Sequence, residues 1–128
     1  MHNSTEQKRF SLIARMRSFN HAFRGIGIIF KTQHNAWIHG VVALIVALLG
    51  IWLRISAGEW MVIILTIAIV LAAEGFNTAL EIDIDLTSPE EHPFARDTKD
   101  VAAGAVLIAV FGAIIIGLII FLPKILAL

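Results

Sequence analysis

The sequence predicts an all-α integral membrane protein, with three transmembrane helices preceded by an amphipathic interfacial helix. Three observations carry that prediction. Of the 128 residues, 58% are hydrophobic, where a soluble domain is about 45–50% apolar. Three apolar runs are long enough to cross a hydrocarbon core about 30 Å thick. The stretch ahead of the first run interleaves arginines with apolar residues at helical spacing. The length fits a single domain, 1–128.

Residues 1–9 are polar. Over 10–30, Phe10, Ile13, Met16, Phe19, Phe23 and Ile26 recur at three- and four-residue steps, with Arg15, Arg17 and Arg24 between them. A basic amphipathic helix of this kind lies along lipid headgroups. The alternative is a solvated helix packed on the rest of the domain. The first predicted span is 37–53, with Trp37 and Trp52 near its ends, where interfacial indoles belong. A short polar turn, 54–59, leads to the second span, 60–86, which is uninterrupted apolar sequence over 61–73. Pro89 and Pro93 mark 87–100 as a polar loop. The third span, 101–122, carries no charge, and Pro123 and Lys124 are expected to end it. Within it Ala105, Ala109, Ala113 and Gly117 place a small residue at every fourth position. Such a stripe lets helix backbones approach closely, and ordinary bundle packing explains it better than a dimerisation motif.

Three spans put the termini on opposite sides. Lys8, Arg9, Arg15, Arg17, Arg24 and Lys31 precede the first span, and Arg96 and Lys99 share their side; only Arg54 and Lys124 fall on the other. By the positive-inside rule the N-terminus and the 87–100 segment are cytoplasmic. Ten basic residues balance ten acidic ones, so no electropositive surface for nucleic acid is expected. With no cysteine, thiol chemistry is excluded. The N-terminus lacks the short apolar core and small-residue cleavage site of a secretory signal.

One stretch conflicts with a plain membrane span. VLAAEGFNTALEIDIDL, residues 70–86, holds Glu74, Glu81, Asp83 and Asp85, although a charged group at the bilayer centre costs on the order of 2.5–3.5 kcal/mol on insertion scales. On a helix, Glu81 and Asp85 each point within ~20° of Glu74. Asn77 and Thr78 flank that stripe, and Asp83 faces the opposite way. Counted from Trp60, Glu74 lies ~21 Å along the helix, still inside hydrocarbon. Glu81 falls near the inner boundary and Asp85 among headgroups. An ionisable side chain at the depth of Glu74 marks function.

Two carboxylates one or two turns apart suit a division of labour. One can bind Mg²⁺, which takes one or two carboxylates plus substrate phosphates. The deeper one can accept a proton. Lys99, near Arg96 and Asp100 on the same side, can hold phosphate as a point charge. Together these point to ATP-dependent phosphorylation of something dissolved in the membrane. A rival class is a membrane subunit that translocates protons or ions through Glu74; it leaves Glu81, Asn77, Lys99 and Asp100 without a role. A non-enzymatic assembly factor is a third class. GIGIIFKT, residues 25–32, is no phosphate loop, because Phe30 stands where glycine is required. His21, His34, His39 and His92 lack zinc-ligand spacing and read as structural.

EGFNTALEIDID resembles the signature of the prokaryotic diacylglycerol kinase/undecaprenol kinase family, with Glu74, Asn77, Thr78, Ala79, Glu81 and Asp85 filling it. HPFARDTKDVAAGAVLI, residues 92–108, is similar to the family's second block. The resemblance implies a small multi-pass lipid kinase of the bacterial cytoplasmic (inner) membrane. It also implies a homotrimer whose active sites are shared between neighbouring subunits at the cytoplasmic boundary. It implies Glu74 as general base on the lipid hydroxyl, Asn77 as a positioning group and Glu81 as a Mg²⁺ ligand. Lys99 and Asp100 would handle ATP, with Glu90 and His92 near it and Asp85 a further polar member. The family commonly has Glu where Gln33 stands, and that Glu helps hold the metal. Gln33 offers a carbonyl oxygen without charge, which bears on metal affinity rather than on reaction type. HPFARDTKD is more similar to undecaprenol-type members, so undecaprenol is the first expected acceptor and diacylglycerol the second.

Overall fold

The computed structural model describes residues 11–128, in which four helices follow one another: α1 (Leu12–Thr32), α2 (His34–Trp52), α3 (Ala57–Thr87) and α4 (Pro93–Leu126). Phe10, Lys8 and Arg9 lie outside the described residues. Three of the helices, α2, α3 and α4, are long and apolar enough to span a membrane, as the apolar runs predict.

The Ser11 hydroxyl starts α1 by accepting the Ala14 N–H at 3.4 Å, which satisfies one of the free donors of the first turn. No residue of α1 is buried. Leu12, Met16, Phe19 and Phe23 stand open to the surroundings, an arrangement that suits an interfacial helix. Only its C-terminal end docks. A Cβ at Gly75 would stand 3.1 Å from Ile29 Cδ1, so glycine at 75 is what lets α1 approach α3 this closely. The Trp37 indole donates to the Phe30 carbonyl at 2.6 Å, and the two rings meet edge to face with centroids 5.5 Å apart. Gln33 alone separates α1 from α2, in an extended conformation (φ −112°, ψ 116°).

Between α2 and α3 the chain turns through Arg54, whose φ of 50° is left-handed. Ser56 and Glu59 then form a reciprocal capping box, which pairs two orphan N–H groups. Glu59 is therefore part of the first turn of α3 and not of a polar turn. Trp60 lies across α2, where a Cβ at Gly50 would meet its ring at 2.9 Å. Ile55, Ile63, Ile120 and Phe121 form the core at this end, and Lys124 closes it by pairing with Glu59 at 3.2 Å.

The two ends of α4 also differ from the sequence expectation. The polar segment expected over 87–100 is non-helical only at 88–92, because α4 begins at Pro93. Proline suits the first helical position, where its missing N–H has no partner to lose, and His92 Nδ1 caps the start by accepting the Phe94 N–H at 3.2 Å. At the far end α4 runs through Pro123 to Leu126. Burial of Ile120 and Phe121 and the Lys124–Glu59 pair hold that last turn in place despite the hydrogen bond a proline forfeits.

Helix α3 packs mainly on α4, whose buried residues Ala102, Val106, Ile120 and Phe121 share one face at helical spacing. Ala113 and Gly117 line an apolar cavity of about 220 Å³ among α2, α3 and α4, and a Cβ at Gly117 would meet nothing within 4 Å, so this part of the small-residue stripe makes no close helix contact within the chain. With 31 residues, α3 is ~46 Å long and outreaches a ~30 Å hydrocarbon core. Part of the helix therefore extends beyond such a core. Val41, Leu44, Ile45 and Leu48 on α2, with Ile108, Ile115 and Ile119 on α4, remain exposed.

Candidate active site

Glu74, Asn77 and Thr78 are the buried polar residues among those described, at 1%, 6% and 2% exposure. Further along α3, Glu81 is half-buried and Asp85 exposed. Polarity thus runs as a stripe from the interior to the membrane edge, in the order the helical arithmetic predicts. The Thr78 hydroxyl donates to the Glu74 carbonyl at 2.8 Å and so makes no demand on the Glu74 carboxylate. Among the described residues, the one ion-pair contact of that carboxylate is with His39 on α2, whose Nε2 lies 3.9 Å from Oε2. Its other oxygen, Oε1, is buried with no hydrogen-bond partner.

Glu81 is held from two sides. Asn77 Nδ2 donates to its Oε1 at 3.1 Å, a bond that the i, i+4 spacing on α3 makes natural. Gln33 Nε2 donates to its Oε2. The extended break at Gln33 is what aims this side chain across to α3, since a continuous helix would carry it past. Asn77 Oδ1 is the second buried oxygen without a partner.

A second group lies at the same end of the bundle. Lys99 on α4 donates to Asp85 Oδ1 at 2.5 Å. Arg96 pairs with Asp100 one turn on, at 3.9 Å, both well exposed. These four, with Glu90 and His92, line an open polar cavity of about 900 Å³ around residues 88–92, within the usual size range for small-molecule sites. The positive end of the α4 dipole faces this region. Among the described residues no side-chain hydrogen bond or ion pair joins the Gln33–Asn77–Glu81 group to the Asp85–Lys99 group. Asp83 is exposed and off the stripe; only its backbone carbonyl is engaged, by Thr87.

The donor set fits a hard cation. Glu81 supplies a carboxylate, Asn77 an unpartnered amide oxygen, and Gln33 a second amide that a half-turn would present oxygen first. No cluster of three or more acidic, histidine or cysteine ligands exists among the described residues. A cation here would complete its shell with phosphate oxygens and water, which is the habit of Mg²⁺.

Gln33, Asn77 and Glu81, distant or spaced in sequence, meet as one group, and Glu74 lies two helical turns from Glu81 on the same stripe. His39 is the residue that sequence reasoning set aside as structural. A single histidine in an apolar span gives no sign of its partner until α2 is laid against α3.

The sequence profile described as prokaryotic diacylglycerol kinase matches residues 20–121. The chain is 43% identical over 108 residues to an undecaprenol kinase of Bacillus subtilis, covering 84% of this chain and 88% of that one. It is 39% identical over 112 residues to a diacylglycerol kinase of Synechocystis, covering 87% of this chain and 64% of that one. A diacylglycerol kinase of Escherichia coli is 29% identical over 104 residues, 76% of this chain and 85% of that one.

Proposed function

We propose, since the chain belongs to the prokaryotic diacylglycerol kinase family, that it transfers the γ-phosphoryl group of ATP to the hydroxyl of a membrane lipid. The family is one of lipid kinases, which removes the reading of Glu74 as a proton carrier in a translocating subunit. Undecaprenol is the proposed acceptor, supported by the 43% identity to a relative of that name, with diacylglycerol the second choice.

The observation that carries the mechanism is the buried, unpartnered Oε1 of Glu74 on the same stripe as the oxygen-rich Gln33–Asn77–Glu81 group. A lipid alcohol arriving from the bilayer brings its hydroxyl to the membrane edge, and Glu74 accepts the hydroxyl proton as the oxygen attacks phosphorus. Mg²⁺ bound with ATP would neutralise charge on the phosphates. Glu81, with the amide oxygens of Asn77 and Gln33, would hold that cation. Lys99 exchanges Asp85 for a phosphate oxygen. The exposed Lys99–Asp85 pair is worth only about 0–1 kcal/mol, so the exchange is inexpensive. Arg96, Asp100, Glu90 and His92 border the nucleotide. Catalysis is then mostly positioning and charge neutralisation.

Location and assembly follow the same reading. The excess of Lys and Arg around α1 and at the start of α4 supports a cytoplasmic N-terminus and active site, in a bacterial inner membrane. The exposed apolar faces of α2 and α4 leave room for neighbouring copies. A homotrimer would set the Asp85–Lys99 group of one copy against the Glu74–Glu81 group of another.

The test is phosphate transfer from γ-labelled ATP by purified protein in lipid with Mg²⁺, with undecaprenol and diacylglycerol assayed side by side. Labelled undecaprenyl phosphate as the faster product supports the reading. Faster labelling of diacylglycerol reverses the order of substrates, and labelling of neither removes the proposed function.

A further inference from the structure

We propose that His39 is the positioning residue for Glu74: its Nε2–H holds carboxylate oxygen Oε2, leaving Oε1 free for the substrate hydroxyl. The inference rests on the reading of Glu74 as general base and adds a residue from α2 to it.

The two oxygens of Glu74 are not equivalent. Oε2 has His39 Nε2 at 3.9 Å, an ion-pair rather than a hydrogen-bond distance, while Oε1 is buried with no hydrogen-bond partner. The other nearby hydroxyl, Thr78, is spent on the Glu74 backbone carbonyl, and Asn77 directs its amide N–H to Glu81. His39 is thus the one side chain among the described residues that forms an ion pair with this carboxylate, at 3.9 Å. A carboxylate with one oxygen tethered cannot rotate freely about its terminal torsion, so the second oxygen keeps a fixed direction. Fixed direction is what a proton acceptor needs, since misplacement by about 1 Å can cost on the order of a hundredfold in rate. The 3.9 Å separation is longer than a hydrogen bond, and catalytic contacts of this kind tighten in the Michaelis complex. His39 also stands at the rim of the apolar cavity among α2, α3 and α4. The other polar side chain lining that cavity, Thr66, donates its hydroxyl to the Val62 carbonyl and does not compete for Glu74.

The chemistry asks nothing of His39 but a donor. The hydroxyl proton goes to Glu74 Oε1, the lipid oxygen–phosphorus bond forms, and the bond to the ADP leaving group breaks. Nε2–H of either the charged or the neutral Nε2-protonated imidazole can serve.

The experiment compares His39→Leu, His39→Gln and His39→Asn with Glu74→Gln in one reconstituted preparation, measuring kcat and KM for both substrates. Glutamine places its amide N–H where Nε2–H stands; asparagine places its own nearer Nδ1. Expected is a fall in kcat of about tenfold or more for leucine and asparagine, recovery to within about threefold for glutamine, and unchanged KM for MgATP. Three variants reduced equally, with glutamine no better than leucine, would mean packing alone and overturn the proposal. His39→Leu at the wild-type rate beside an inactive Glu74→Gln overturns the proposal and leaves the base intact. Wild-type turnover by Glu74→Gln removes the base itself. Should the leucine variant not fold, nitrogen NMR of the His39 imidazole in the unaltered protein decides. A proton on Nε2 supports the arrangement, and the neutral tautomer carrying it only on Nδ1 contradicts it.

Discussion

Gln33 and Glu81, 48 positions apart, meet through a hydrogen bond from the glutamine amide to Oε2 of the carboxylate. A single extended residue between two helices reaches the acidic stripe of a third, and the site depends on that reach. Replacing Gln33 by Glu puts two carboxylates together. Without metal they repel, so thermal stability in chelator should fall; with Mg²⁺ it should recover. The Mg²⁺ concentration for half-maximal rate should drop by about tenfold, since ligand charge sets affinity at such sites. Magnesium titrations of both activity and melting temperature check this.

Glu81→Ala removes the only carboxylate of that group and leaves the Asn77 and Gln33 amides without their acceptor. Activity should fall by on the order of a hundredfold and return in part at raised Mg²⁺. A loss indifferent to metal concentration would place Glu81 outside the metal site.

Lys99→Ala should raise KM for ATP by about tenfold, the loss of one charge-assisted contact to phosphate, with little change in stability because its pair with Asp85 is exposed. Asp85→Asn frees Lys99 and should leave KM for ATP equal or lower. Steady-state kinetics at varied ATP separates the two.

The four-helix architecture was legible because apolar runs, tryptophans and arginines each report on a bilayer directly. The acidic stripe was legible too, since three carboxylates and an asparagine on one helix share a face by arithmetic alone. Contacts between helices were not. The sequence places a break between 30 and 37 but does not say that Gln33 alone makes it or that its side chain reaches Glu81, and nothing around His39 names Glu74 as its neighbour. Both depend on how closely α1 and α2 approach α3, which Gly75 and Gly50 permit through single missing methyl groups. The start of α4 was misplaced for a related reason: Pro93 reads as a breaker until His92 is seen capping the helix that the proline opens.

Gly50→Val tests that close approach. Its side chain would collide with the Trp60 ring, which stands 2.9 Å from the position of a Cβ, and overpacking of this kind costs about 1–3 kcal/mol. Thermal denaturation in detergent should show a clear destabilisation, while Gly112→Val, where a Cβ meets nothing within 4 Å, should not.

The central claim is that a buried glutamate takes a proton from a lipid alcohol, and Glu74→Gln in reconstituted membranes tests it most directly. Glutamine keeps the shape and removes the base. The rate of phosphate transfer to lipid should fall by about 10²–10⁴ while MgATP still binds. A variant that phosphorylates lipid at the full rate would contradict the account.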